Sequence, residues 1–457
     1  MNANEYMKRL IGLEEENHLY EVNYKGFPIY RILRYFIRPA WISYIDKAFS
    51  VDNRHEKPSK DVTIKNVIYS LYDFGRIIIN NRKFDNIFFP SFRMQEINGR
   101  YLDKFTDPVV IQSDISRSHS AAIFSISFYD NYRKKRINKK LFFQFEWVFI
   151  LSYLFALVYL PFFKLSSSRK EIDTLLNNVK KIFSDNVDFS KKSYIEYMMF
   201  VFQYKIYKFI LKRTHCKKIF FVIRANNYPQ ILAAHSMGIP AYEIQHGVTY
   251  GETVLYSGSY DAISDPEYFL IFGSMWKGPQ FGVPIEKLIN IGFAYKDYIK
   301  DIYSKKIEDA VLVISSPEIT EAMVNMTSVL AQNYPKVSFY FRPHPHEGLT
   351  QEQLALLKGK RNIFFSDKSV DSNIEVMKYN KVIGTNSSVL FEAISLGVDV
   401  GRVNFGGLTV ERYPGDEGFF YINNIEDFGK FLTNTSRMEI EAYSDFDKEK
   451  FLSIINN

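Results

Sequence analysis

Short apolar runs of three to seven residues, each closed by polar or glycine-containing stretches, recur along the chain. They alternate with longer segments whose apolar positions fall at three- and four-residue steps. The first pattern suits buried strands and the second amphipathic helices. Asn86-Ile87-Phe88-Phe89-Pro90, Val109-Val110-Ile111 and the run from Ile123 to Tyr129 read as the first strands, and helical patterning fills Ile172 to Leu211. From Lys218 onward the alternation is regular. Strands are expected at Lys218 to Val222, Pro240 to Ile244, Tyr268 to Phe272, Leu288 to Ile291, Ala310 to Ile314, Val337 to Phe341, Asn362 to Phe365, Lys381 to Ile383 and Val398 to Val403, with a helix from Pro229 to His235. Strands joined through helices run parallel, so the pattern predicts α/β sheets covered by helices. Residues 1–60 mix short helical patterns with Tyr-rich stretches, of which Tyr20 to Gly26 reads as a hairpin or edge strand.

A length of 457 residues exceeds what one core organises and calls for two domains. Lys296 to Ile307 is polar, has no strong apolar period and separates two sets of strand–helix units, so an N-terminal domain of 1–298 and a C-terminal domain of 299–457 are expected. No repeat of solenoid period and no low-complexity tract interrupts them.

Composition changes the picture in two ways. Aromatic residues make up 17% of the chain, with 41 Phe and 32 Tyr, a surplus that could supply sugar-stacking platforms. A single cysteine, Cys216, excludes an intramolecular disulfide framework and a Cys-rich zinc site, which fits a cytoplasmic protein. The N-terminus shows no basic region followed by an apolar stretch, so no secretory signal is read there.

The formal charge of +7 is unevenly placed. Arg133-Lys134-Lys135-Arg136 and Lys139-Lys140 precede the run Leu141 to Phe163, which holds one charge, Glu146, and is followed by Lys164, Arg169 and Lys170. Its length would cross a bilayer, but Gln144, Glu146 and Pro161 inside it favour a helix lying on the inner face of the cell membrane, with Trp147, Tyr153 and Tyr159 at headgroup level. A buried core helix is the alternative. Nucleic acid suits this patch poorly, because its neighbour is apolar and no nucleic-acid module is recognisable.

Candidate chemistry gathers at expected strand ends. Arg342-Pro343-His344-Pro345-His346 follows one strand, and Gly384-Thr385-Asn386-Ser387-Ser388 follows another and opens the helical run Val389 to Ile394. Open α/β sheets bind ligands at such ends. Arg342 offers a planar donor fork for phosphate, and His344 and His346 can donate to its oxygens. Ser387 and Ser388 at a helix start could converge with free N–H groups on an anion, or serve as ordinary caps. Glu392, one turn beyond Ser388, could take both ribose hydroxyls or stand as a solvated helix carboxylate.

In the first domain, Gln245-His246-Gly247 ends a strand. Gly247 would allow close approach of a ligand, and the imidazole of His246 can act as a general base, with Glu243, Glu252 and Asp265 as carboxylate competitors. Asp445-Phe446-Asp447 formally matches a metal–nucleotide pattern but lacks a preceding buried strand. The two histidines of the 342–346 string lack nearby further ligands, so no metal and no cofactor beyond a substrate nucleotide is expected. The absence of a P-loop, a Gly-x-Ser-x-Gly elbow and a His-Glu-x-x-His motif disfavours NTPases of that class, α/β-hydrolases and zincins.

Taken in order, Gln245-His246-Gly247, Tyr268 to Gly273, Ile291-Gly292-Phe293, Arg342-Pro343-His344-Pro345 and Gly384 to Ala393 resemble the GT-B glycosyltransferases of bacterial surface polysaccharide synthesis, over roughly residues 218–405. The His-Pro and Ser-Ser strings are similar to those of capsular sialyl- and Kdo-transferases and of teichoic-acid CDP-glycerol phosphotransferases. The resemblance implies a GT-B fold of two Rossmann-like domains facing a cleft. It implies that Arg342, His344, His346, Thr385, Asn386, Ser387 and Ser388 hold a CMP-, CDP- or UDP-linked donor and that Glu392 takes the ribose. His246, with Glu243, would activate the acceptor, an oligosaccharide or lipid-linked glycan, near Gln245, Gly247 and Gly273. Two departures qualify it. The sialyl/Kdo group carries an acidic pair before the glycine where this chain has Gln245-His246, and the teichoic-acid group has an aromatic residue before its His-Gly. A CDP-polyol phosphotransferase, a non-hydrolysing nucleotide-sugar epimerase and a silent assembly scaffold are the competing readings.

Overall fold

In the computed structural model of the chain, which describes residues 3–45, 60–91, 94–115, 121–126, 132–163, 166–183, 190–249, 256–300, 302, 306–344, 347–367, 370–412, 415–434 and 440–456, the apolar runs become the strands of two sheets. The first sheet contains β1 (Asn86–Phe89), β2 (Ala121–Ser125), β3 (Phe142–Gln144), β4 (Lys218–Val222), β5 (Ala241–Ile244), β6 (Tyr268–Ile271) and β7 (Leu288–Asn290), in the order β7-β6-β5-β4-β1-β2-β3. Pairing is parallel from β6 across to β3. Strands β1 to β5 are buried at every position, as strands covered on both faces must be. The chain winds outward from β1 in both directions, so the order reverses between β1 and β4.

The second sheet repeats the scheme with β8 (Ile307–Ile314), β9 (Ser338–Arg342), β10 (Ile363–Phe365), β11 (Tyr379–Gly384), β12 (Asp399–Val403) and β13 (Phe420–Ile422), in the order β10-β9-β8-β11-β12-β13. Every neighbouring pair is parallel. Its order reverses between β8 and β11.

Helices α1 (Lys60–Ile79), α2 (Glu146–Phe163), α3 (Ser190–Arg213) and α4 (Tyr228–His235) pack on the first sheet, where Ile77, Trp147, Tyr207 and Ile231 join Phe89, Phe124, Phe143 and Phe221 in one core. Helices α5 (Thr320–Asn333), α6 (Ser388–Ser395) and α7 (Ile425–Thr433) serve the second sheet, and α8 (Lys448–Asn456) follows. Against an expected division at 298/299, one compact unit consists of residues 1–270, 279–289 and 452–457, and the other of 271–278 and 290–451.

Much of the aromatic surplus is structural. Phe88, Phe220, Tyr242 and Tyr268 occupy paired positions on β1, β4, β5 and β6, with successive ring centroids 4.7, 5.0 and 5.3 Å apart, a stacked row across four strands.

Several expectations are corrected. Val109-Val110-Ile111 is not a strand but lies in the helix Asp107–Gln112, because Pro108 sits in the first turn, where its missing N–H costs nothing, and the Asp107 carboxylate favours a helix start. The apolar run from Leu141 is divided: Phe142–Gln144 is the buried strand β3, and the helix begins only at Glu146. The strand expected to reach Tyr129 ends at Ser125, and 127–131 fall outside the described residues. Asn23–Tyr24 pairs with Phe27–Pro28 across Lys25 and Gly26, whose φ angles of 52° and 81° match the hairpin turn in which both central residues are left-handed.

Candidate functional site

Strands β9 and β11 both pair with β8, so the two candidate strings leave the same carboxyl edge on either side of it. Arg342 is in register with Ile314, the last residue of β8, and the segment after Gly384 departs one strand away on the other side. Two strand spacings separate the strings, about 10 Å. A Cβ on Gly384 would meet the Ile314 carbonyl oxygen at 3.1 Å, so the glycine lets β11 pass close to β8 where the strand order reverses. Glu347 ties this edge together: it accepts from Ser315 Oγ at 2.8 Å and from the His344 backbone N–H at 2.7 Å.

The 384–388 loop is shaped by an arginine that lies outside every candidate string. Arg402, on β12 and fully buried, donates from Nε to the Thr385 carbonyl (3.0 Å), from Nη2 to Asn386 Oδ1 (2.9 Å) and the Glu411 carbonyl (2.8 Å), and from Nη1 to Asp416 (2.6 Å). Asn386 adds bonds to Thr409 and Glu411. Ser387 caps α6 by accepting from Val389 N–H, and Ser388 begins the helix, half-buried. An arginine within the apolar run Val400-Gly401-Arg402-Val403 was the signal that could have revealed this anchor.

Arg342 is itself engaged by its own unit. Its guanidinium donates to Ser366 Oγ (3.0 Å) and to the carbonyls of Asp367 (2.7 Å) and Val370 (2.6 Å), so it holds the segment after β10. Burial lowers its pKa and nearby Glu375, Asp371 and Asp367 oppose that, leaving it a cation. The His344 side chain is exposed, whereas His346 lies outside the described residues. Glu392 is not the solvated carboxylate one alternative required: it is 5% exposed and, after burial and Asp371, contributes to raising the Tyr295 hydroxyl pKa.

In the first unit, β5 delivers Gln245-His246-Gly247. The Gln245 amide is buried and donates to the Gly247 carbonyl at 2.8 Å, stiffening the turn. His246 is buried, with Nδ1 2.7 Å from the Tyr256 hydroxyl and the Phe105 ring edge-on at 6.4 Å. Tyr256 is held by Phe269, Phe281 and the Arg224 guanidinium, 5.2 Å from its ring centre. If Nδ1 donates to Tyr256, Nε2 carries the lone pair that proton transfer needs.

Glu243 is enclosed: it accepts from Arg224 N–H at 2.8 Å and Nε at 2.7 Å. Burial raises its pKa and the arginine pulls it back, the arrangement of a paired structural carboxylate. Asp265 bridges Arg224 and Arg31 in the same way, and Glu252 lies outside the described residues. Gly273 makes room for the chain rather than for a ligand, since a Cβ there would fall 2.1 Å from the Glu441 carbonyl oxygen. Asp445 pairs with Lys296 at 2.7 Å and Asp447 caps α8 through Lys450 N–H, so both stand in structural roles. Among the described residues no three His, Cys, Asp or Glu side chains converge as a metal site.

No protein-family model and no curated protein matches this chain. Solved structures do. A UDP-GlcNAc 2-epimerase from Methanocaldococcus jannaschii superposes with a TM-score of 0.51 at 12% identity, over 81% of this chain and 99% of its own. A Listeria monocytogenes protein to which the same activity has been ascribed gives 0.51 at 10% identity, over 82% and 96%. A lipopolysaccharide outer core galactosyltransferase gives 0.44 at 11% identity, over 81% and 99%. With two parallel sheets of reversing order, the first two establish a GT-B fold of two Rossmann-like domains.

Proposed function

We propose that the chain is a glycosyltransferase that moves a sugar from a CMP-, CDP- or UDP-linked donor to a surface-polysaccharide or lipid-linked glycan acceptor at the cytoplasmic face of the membrane. The observation that carries this reading is the edge shared by the Arg342-Pro343-His344 and Gly384-to-Ser388 strings on either side of β8, where doubly wound sheets hold nucleotides. In this reading Thr385, Ser387, Ser388 and the start of α6 meet the donor phosphate, with His344 reaching across β8 from the end of β9. Those dipoles and donors stabilise the departing charge without a metal.

His246 Nε2 takes the proton of an acceptor hydroxyl. The acceptor oxygen bonds to the anomeric carbon as the bond from that carbon to the donor phosphate breaks, and the nucleotide leaves with the electron pair. Thermal shift against CMP, CDP, UDP and GDP, followed by transfer assays with the nucleotide that binds, tests the donor half. His246→Ala should abolish transfer while leaving the nucleotide-induced shift nearly intact, and unchanged turnover would remove His246 as the base.

The likeness to UDP-GlcNAc 2-epimerases favours a second reading, nucleotide-sugar epimerisation. It is separated by incubating donor without acceptor: an epimerase releases an isomerised nucleotide sugar, a transferase does not. The exposed apolar surface of α2 favours the transferase, since an epimerase has no membrane-borne substrate to meet.

A further inference from the structure

Helices α1 and α2 lie together in the first unit. The Phe74 and Trp147 rings are 4.4 Å apart, and the Trp147 backbone N–H donates to Ser70 Oγ at 3.1 Å. Ser70, Asp73 and Ile77 turn inward and are buried. The other side of α1 presents Ile64, Ile68, Leu71, Tyr72 and Ile79, from 48% to 83% exposed, all within an arc of roughly 100° on the helix. On α2, Leu151, Leu154, Val158 and Phe162 follow one another at three- and four-residue steps, with Tyr153, Leu157 and Tyr159 beside them, each at least 40% exposed. These two helices carry twelve of the twenty exposed large hydrophobic side chains among the described residues, so the apolar surface is concentrated and not scattered.

Exposed lysines flank it. Lys65, Lys134, Lys139 and Lys140 are exposed. Asp73 is enclosed between Arg76 and Arg133, and Glu146 stands in the first turn of α2. We propose that α1 and α2 form a two-helix docking face that lies in the interfacial layer of an anionic bilayer. This deepens the reading of a membrane-borne acceptor and rests on it, adding α1 as a second contact that the hydrophobic run at 141–163 did not disclose.

A bilayer is favoured over a second copy of the chain because a two-fold pair would bring the lysines of both copies together. Lying flat is favoured over crossing. The helix is 18 residues long, about 27 Å, but Val148 and Ser152 are buried, Gln203 of α3 donates to Ser152 Oγ at 3.0 Å, and Ala156 and Phe163 belong to the core.

Co-sedimentation with vesicles of phosphatidylcholine alone, and of phosphatidylcholine with phosphatidylglycerol, tests this. The protein should pellet with the anionic vesicles and be released by salt. The double variants Ile64→Glu/Ile68→Glu and Leu154→Glu/Val158→Glu should each weaken binding by about tenfold or more. Lys139→Glu/Lys140→Glu should weaken binding to the anionic vesicles selectively. Failure of the unaltered protein to pellet with either vesicle overturns the proposal, and full binding by the α1 variant removes α1 from it. A wild-type dimer in light scattering that these variants make monomeric assigns the face to a second copy and overturns it too. The nucleotide-induced thermal shift, measured without vesicles, is expected to survive in all variants, so its loss would count against the donor reading and not against the docking face.

Discussion

Arg402 illustrates how one side chain sets the geometry of the 384–388 loop. It donates to that loop, to Glu411 and to Asp416, so Arg402→Ala removes the cation from the buried ion pair with Asp416 and should cost about 3–5 kcal/mol in denaturant unfolding. Arg402→Lys should not rescue it, because an ammonium cannot reproduce the fork. Tyr256→Phe removes the hydroxyl at His246 Nδ1. If His246 is the base, transfer turnover should fall about tenfold to hundredfold with the donor KM unchanged, whereas a purely structural tyrosine would shift the melting temperature and leave turnover alone. Cys216 gives a prediction with a defined sign. Burial pushes its thiol up to about 12 from 9.0, so above pH 9 an unfolded chain releases a proton that the folded chain keeps. Stability should fall by about 1.4 kcal/mol per pH unit between pH 9 and 12, and the Cys216→Ala variant should lack that part of the slope.

At the scale of elements, legibility followed burial. Strands such as Phe220-Phe221-Val222 and Val311-Leu312-Val313 are apolar on both faces and short, so their period and length agree. Val109-Val110-Ile111 carries the same composition, yet Pro108 and a single buried turn made it a helix. The division of the run at Phe145 was not legible, because strand β3 and helix α2 are both apolar and no glycine or proline separates them. The hairpin Met94–Ile97 with Arg100–Asp103 turns on Asn98-Gly99, the dipeptide that such two-residue turns favour. Long-range hydrogen bonding was beyond reach: Arg342 reads as a phosphate ligand until Ser366, Asp367 and Val370, more than twenty residues on, are seen to take its donors. Gly273 likewise reads as ligand space until residues 441 and 442 are found against it. Gly273→Ala, in extended backbone, should therefore destabilise by sterics alone, about 1–3 kcal/mol, detectable as a lower denaturation midpoint with the m-value unchanged.

For the whole molecule, alternation predicts parallel sheets covered by helices, the reversal of strand order in each sheet is seen only in the structure, and the GT-B fold follows from the two sheets together with the solved structures. What alternation cannot carry is the route of the last residues. Backbone from 441 to 447 is bonded to Phe272, Ile291 and Phe293, and a Cβ on Gly292 would strike the Asp445 carbonyl oxygen. Residues 452–457 group with the first unit, where the buried Lys218 Nζ donates to the Ile455 carbonyl at 2.8 Å. During synthesis, then, the unit that holds β4 waits for residues beyond 450 to leave the ribosome. Until they arrive, the Lys218 ammonium at the start of β4 lacks its acceptor, and a nascent chain stalled before residue 440 should remain a substrate for chaperones and proteases.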